Sequence, residues 1–148
     1  MDLSHTLIHH TTSNVDACLA NCATTHIILR DKKYFSNISL GKSNVNTISS
    51  PIDLIQGSGR ATIILPRGTK IHINDALYYA KSKRNLLSFK DIRQNGCHIE
   101  TMNDDSNEYL LITSIISGGK HILEKLPSYS CGLYQTIIRP IESYAIMN

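Results

Sequence analysis

The residues best placed to do chemistry lie in one short run, Asn21-Cys22-Ala23-Thr24-Thr25-His26, where small and hydroxyl-bearing side chains lead directly into the apolar Ile27-Ile28-Leu29. Three chemistries can be asked of it. Cys18, Cys22 and His26 fall four residues apart, a spacing that on a helix would line up soft and imidazole ligands for a metal, with His9-His10 as a further donor. Cys22 could act as a nucleophile with His26 as its base. Asn21 could be a turn residue, since asparagine tolerates left-handed backbone and bonds to its own main chain. The surrounding Ala, Asn and Thr make the run a turn rather than a helix, so the Cys-Cys-His spacing does not converge. No metal and no cofactor is expected. Of the other histidines, His72, His98 and His121 fall in strand-like segments and read as surface or edge residues.

The chain has 148 residues, 41% of them hydrophobic and 18% charged, enough to bury the core of one domain. The four cysteines, Cys18, Cys22, Cys97 and Cys131, are too few and too irregular for a disulfide framework and read as thiols of a reducing compartment. No apolar run approaches the roughly 20 residues of a membrane span, and no signal peptide is visible. The expectation is therefore an intracellular protein with no membrane partner. A formal charge of +3 is mild. Arg30-Lys32-Lys33 and Lys81-Lys83-Arg84 form two basic clusters that read as solvated faces, so nucleic acid is not expected as a partner.

The elements that must position the run follow from pattern. Residues 1–14 are polar and read as an N-terminal arm. Val15, Ala17 and Leu19 alternate, which makes 15–20 the strand that delivers the Asn21 turn, and Ile27-Ile28-Leu29 the buried strand that leaves it. The Asn-, Ser- and Gly-rich stretch 36–51 suits an exposed, mobile hairpin. Residues 60–65 and 70–79 alternate around Pro66-Arg67-Gly68-Thr69 and predict a β-hairpin. Gly57-Ser58-Gly59 precedes a strand, not a helix, and so is not a phosphate cradle. Asn85 as a cap, Leu86, Phe89 and Ile92 at helical spacing and Gly96 as a terminator predict one helix over 85–96. Short strands are expected over 97–101, 108–116, 120–125 and 132–139, separated at 103–107, Gly118-Gly119 and Pro127-Ser128. The fold class is mainly β, with the sheet expected to close into a barrel.

In order and spacing, the Asn21 turn with Thr24-Thr25-His26, the Gly57-Ser58-Gly59 hairpin, the run Asp75-Ala76-Leu77-Tyr78-Tyr79 and the element Arg84-Asn85-Leu86-Leu87-Ser88 resemble the aspartic protease of copia-type retrotransposon polyproteins. The likeness covers about residues 16–96. Residues 97–148 resemble the β-rich linker before integrase in the same polyproteins, and the chain stops before an integrase zinc module. The resemblance implies a retropepsin-like closed barrel over 15–96 with one short C-terminal helix, followed by extra strands packed on the same domain. It also implies a homodimer, or a heterodimer with a related retropepsin, that binds an extended peptide by strand addition. Under it, Asn21, Cys22 and Ala23 occupy the Asp-Ser/Thr-Gly positions, so an amide replaces the catalytic carboxylate and the domain is a pseudoprotease. Ala23 would also resist the positive-φ turn that glycine allows. Residues 41–54, with Ser43, Asn44, Val45, Ser49 and Ser50, correspond to the flap over the cleft, and Arg84, Asn85, Leu86 and Leu87 to the dimer and helix element. A rival register, Asp16-Ala17-Cys18 as the catalytic triplet, keeps a carboxylate and an active endopeptidase. It loses the glycine and sets Thr24-Thr25-His26 too far downstream.

Overall fold

The computed structural model describes residues 14–41 and 56–141; the flap positions Ser43 to Ser50 and the arm before Asn14 lie outside the described residues. Among the described residues ten strands and one α-helix follow in chain order, with a 3-10 turn (Lys32–Tyr34) after the second strand: β1 (Asp16–Asn21), β2 (Ile28–Leu29), β3 (Phe35–Leu40), β4 (Gly57–Ile64), β5 (Lys70–Tyr78), β6 (Asn85–Ser88), α1 (Phe89–Gln94), β7 (His98–Asp104), β8 (Asn107–Ile116), β9 (Gly119–Ser130) and β10 (Leu133–Ile138). The domain is mainly β.

One sheet carries them in the order β3-β4-β5-β2-β6-β1-β10-β9-β8-β7. The ladder is open, with β3 and β7 at its edges, and does not close as a continuous barrel. A single antiparallel bridge between Ile64 and Arg139 ties β4 to the residue after β10. Its two bonds, 2.8 and 3.0 Å, fold the sheet back on itself. This is possible because β10 pairs with β9 only at Leu133 and Tyr134, leaving its far end free to reach β4.

The hairpin read at 60–79 is present as β4–β5, in register from Gly57↔Tyr78 to Ile64↔Lys70 with one bulge. The Ser/Asn-rich stretch begins as edge strand β3, and Gly41 N–H donates to Gln56 O at 2.9 Å, so the hairpin base is held shut. Gly57 and Gly59 are close-approach positions. A Cβ on Gly59 would lie 2.1 Å from Asn37 O and one on Gly57 2.7 Å from Ser39 O, distances that no side chain can occupy while β3 stays paired.

Strand ends shift by a few residues from the sequence pattern in several places, and at two places the element itself differs. Asn85, Leu86 and Leu87 are not helical; they form β6, and the helix starts at Phe89 with Ser88 as its cap, its Oγ accepting from Lys90 N–H at 3.1 Å. Leu86, Phe89 and Ile92 satisfy a helical period, but β6 has a strand on each side, β1 parallel and β2 antiparallel, and that pairing overrides the local signal. Pro127-Ser128 is not a break: β9 runs through it, with Pro127 opposite Tyr109. The separators expected at 103–107 and Gly118-Gly119 narrow to two-residue turns, Asp105-Ser106 and Ser117-Gly118, with positive φ at both positions, the geometry that matches strand twist.

A single core draws on the whole described chain: Ile27, Leu29, Ile63, Ile71, Ile73 and Leu87 pack with Leu110, Ile112, Leu126 and Ile138. Burying ten such side chains is worth about 1.5–3 kcal/mol each before chain entropy is charged against it. Buried Glu124 adds a polar tie. Its carboxylate accepts the backbone N–H groups of Arg67 (3.1 and 3.2 Å) and Thr69 (3.2 Å), fastening the β4–β5 turn to β9.

Candidate functional site

Strand β1 delivers the Asn21 turn from the middle of the sheet, between β6 and β10, with Asn21 opposite Ser88 on one side and Leu133 on the other. Leu19 and Ala20 are buried, so the strand is fixed up to the residue before the turn. Asn21 is half-buried, and Cys22 and Ala23 are exposed. The Asn21 Oδ1 accepts the Ala23 N–H at 2.9 Å, an Asx turn that closes the loop on itself. Ala23 is not among the positive-φ residues, so the turn takes a form that alanine adopts freely and the expected backbone conflict does not arise.

Downstream, Thr25 Oγ1 lies 3.2 Å from His26 Nδ1, and His26 Nε2 lies 3.5 Å from Asp75 Oδ2 on β5. Asp75 and Asp91 line one shallow pocket with Thr25, His26, Asn74 and Lys90. Burial raises the Asp91 carboxyl above the ordinary carboxylate range; Lys90 and His26 pull the other way and Asp75 adds to the rise. Sequence reading did not single out Asp75 or Asp91 as site residues, because each fits its own element and they meet His26 only through the fold. An acid at the start of α1, adjacent in space to a turn that ends in His, was the available signal.

The remaining candidates separate. Cys18 is buried in the core and its thiol is pushed up to about 12, by burial first and by Asp16 second, away from the thiolate form that nucleophiles and ligands use. Cys22 is exposed on the turn and His26 faces Asp75, so the three do not converge. Among the described residues, no group of three or more His, Cys, Asp or Glu side chains is placed to hold a metal. Asp16 sits at the opposite end of β1 from the turn, roughly 16 Å away at the rise of a strand. There its carboxylate accepts the Tyr34 hydroxyl and pairs with Lys33 Nζ at 2.9 Å. That burial and bond raise the Tyr34 phenol well above its usual value.

Arg84, Asn85, Leu86 and Leu87 lie beside the site strand. Asn85 is buried, its Nδ2 donating to Ala17 O at 3.0 Å and its Oδ1 accepting from Arg30 N–H at 2.8 Å, so one amide joins β6 to β1 and to the end of β2.

A strand-borne turn, a Gly-Ser-Gly hairpin held against its neighbour and the Asn85 junction lie within residues that match a known family: the description "Pol polyprotein, beta-barrel domain" fits residues 18–97, more than half of the chain. The chain belongs to that family. It is thus a retroelement polyprotein region, and the Pol beta-barrel match runs from the middle of β1 to the residue before β7. No curated protein and no solved structure matches the chain. No helix among the described residues of this Pol beta-barrel domain is long and apolar enough to cross a membrane.

Proposed function

We infer that the chain is a catalytically silent, retropepsin-like domain of a copia-type retroelement that acts inside the cell as a dimerising, peptide-binding module. The observation that carries this is the Asn21 amide in the turn at the end of β1, its oxygen engaged by the Ala23 N–H. Aspartic proteolysis needs two carboxylates that share one proton, one to activate water and one to protonate the scissile carbonyl. A side-chain amide neither gains nor loses a proton near neutral pH, and a symmetric pair of such turns would hold two amides. The rival carboxylate, Asp16, is engaged by Lys33 and Tyr34 a strand's length away, which speaks against it as the catalytic group.

What remains is the scaffold: a central turn with Cys22 and Ala23 exposed, and a β3–β4 hairpin held shut at its base by the bond between Gly41 and Gln56. A groove between two such subunits would take an extended peptide by main-chain pairing. Sedimentation equilibrium across a concentration series is the test. A reversible dimer whose association strengthens with a pepstatin-like extended peptide is the expected result. A monomer at all concentrations, indifferent to the peptide, would contradict the reading.

A further inference from the structure

The two basic clusters that are fifty residues apart in sequence meet in the fold. β2 runs parallel to β5 and antiparallel to β6, with Leu29 opposite Tyr78 and Ile28 opposite Leu86. The chain therefore emerges with Arg30, Lys32 and Lys33 from the same end of the sheet at which β5 gives out into Lys81 and Lys83 and β6 begins after Arg84. Among the described residues six of the fifteen cations gather there against two carboxylates, Asp16 and Asp31, so the rest of this +3 chain carries slightly more acid than base.

The arrangement is a cleft. Arg30, Lys83, Arg84, Tyr129 and Gln135 line a cavity of ≈ 140 Å³ beside the start of β1. Its one carboxylate, Asp16, is already paired with Lys33. Among the described residues, Arg30 and Lys83 have no carboxylate partner. Arg84 Nη2 donates to the Tyr129 hydroxyl at 3.0 Å, and the guanidinium lies 5.1 Å from the Tyr129 ring centre. Tyr129 is 47% exposed, with the Arg84 guanidinium over one face of its ring.

We propose that this cleft binds the phosphate backbone of single-stranded nucleic acid, with Arg30, Lys83 and Arg84 on phosphates and Tyr129 as a stacking surface. Unpaired cations beside an exposed aromatic are what single strands need, because phosphates supply most of the affinity and every base has a face to stack. An acidic protein partner fits less well. Protein interfaces have an apolar centre, and none of Leu40, Ile115, Ile116, Ile122 or Ile137, the large exposed aliphatics, lines the cleft. The surface is separate from the Asn21 turn, which lies at the other end of β1, so it stands whether or not that turn is silent.

The test is fluorescence anisotropy of a labelled oligouridylate 12-mer with the full chain across a salt series. Three phosphate contacts predict a log–log slope of about −2 for a single strand. Arg30→Gln with Lys83→Gln, which leaves the Arg84–Tyr129 contact intact, should weaken binding at low salt by about tenfold or more and flatten the slope, with an unchanged melting temperature. Tyr129→Ala should weaken binding and leave most of the slope, whereas Lys120→Gln, on the far hairpin, should do neither. The proposal is overturned if folded protein does not bind at low salt, if the double variant binds like the parent, or if polyglutamate of equal charge competes as well as the oligonucleotide does.

Discussion

Two asparagines flank the same strand and do opposite work. Asn85 is 3% exposed and bonds across 68 and 55 residues of chain, to Ala17 O and Arg30 N–H. Asn21 is half-buried and bonds only to Ala23, two residues on. The first is a junction that the sheet cannot replace with water; the second shapes a loop that solvent could equally satisfy. The difference teaches where this domain is rigid. The start of β1 is held by Asn85, Asp16, Tyr34 and Lys33, while its end opens into a turn whose chemistry can change at little structural cost. That is the condition under which a catalytic residue can be lost and the fold kept.

The sharpest way to break the comparison is to make the same substitution at both positions. Asn85→Ala strands a buried carbonyl and a backbone N–H and should cost about 2–4 kcal/mol, read as a fall in the urea midpoint at unchanged slope. If Asn21→Ala cost as much, the contrast would fail.

A second test is alkaline titration at the anchored end. The Tyr34 phenol is raised in the fold, by burial first and then by its bond to Asp16. A raised pKa means the folded state holds its proton longer than the unfolded chain does. Its contribution is therefore full below the unfolded tyrosine value near pH 10 and is lost as pH rises beyond it. Tyr134, raised to about 12 chiefly by its bond to Glu108, acts in the same window. Melting temperature should fall above about pH 10, and Tyr34→Phe should blunt that fall while lowering stability at pH 7. An unaltered alkaline limb in Tyr34→Phe would show that the anchor is not where the structure has it.

The smallest effect is expected at the turn. Asn21→Ala removes one half-exposed bond and should cost about 0.5–1 kcal/mol. Thermal unfolding resolves a change of that size in a domain this small.

How much of this was legible in the sequence follows the same division. The β4–β5 hairpin and the strand leading to Asn21 were readable because one face of each is buried and the alternation is local. The start of α1 was not, since Leu86, Phe89 and Ile92 fit a helical period and only pairing with β1 and β2 makes the residues before Phe89 a strand. The role of Glu124 was not legible either, since its partners are backbone N–H groups of a turn 55 to 57 residues away, which leave no mark in side-chain pattern. The convergence of Arg30 with Arg84 was hidden for the same reason, and so was the meeting of His26 with Asp75. The turn at Asn21 was legible because the small residues, the Thr-Thr-His run and the following strand are consecutive. The site's consecutive part could be read, and the part assembled by pairing could not.

Cleavage of a peptide library, with and without pepstatin, from pH 4 to pH 8 shows whether the amide at position 21 silences the domain. The parent protein should cleave nothing at any pH. Asn21→Asp, which places a carboxylate in each turn where two of them can come within about 2.6–3.2 Å of the reacting atoms, should show pepstatin-sensitive turnover with a bell-shaped pH profile. Pepstatin-sensitive cleavage by the parent, lost in Asp16→Asn, would contradict the account and make this domain a working protease.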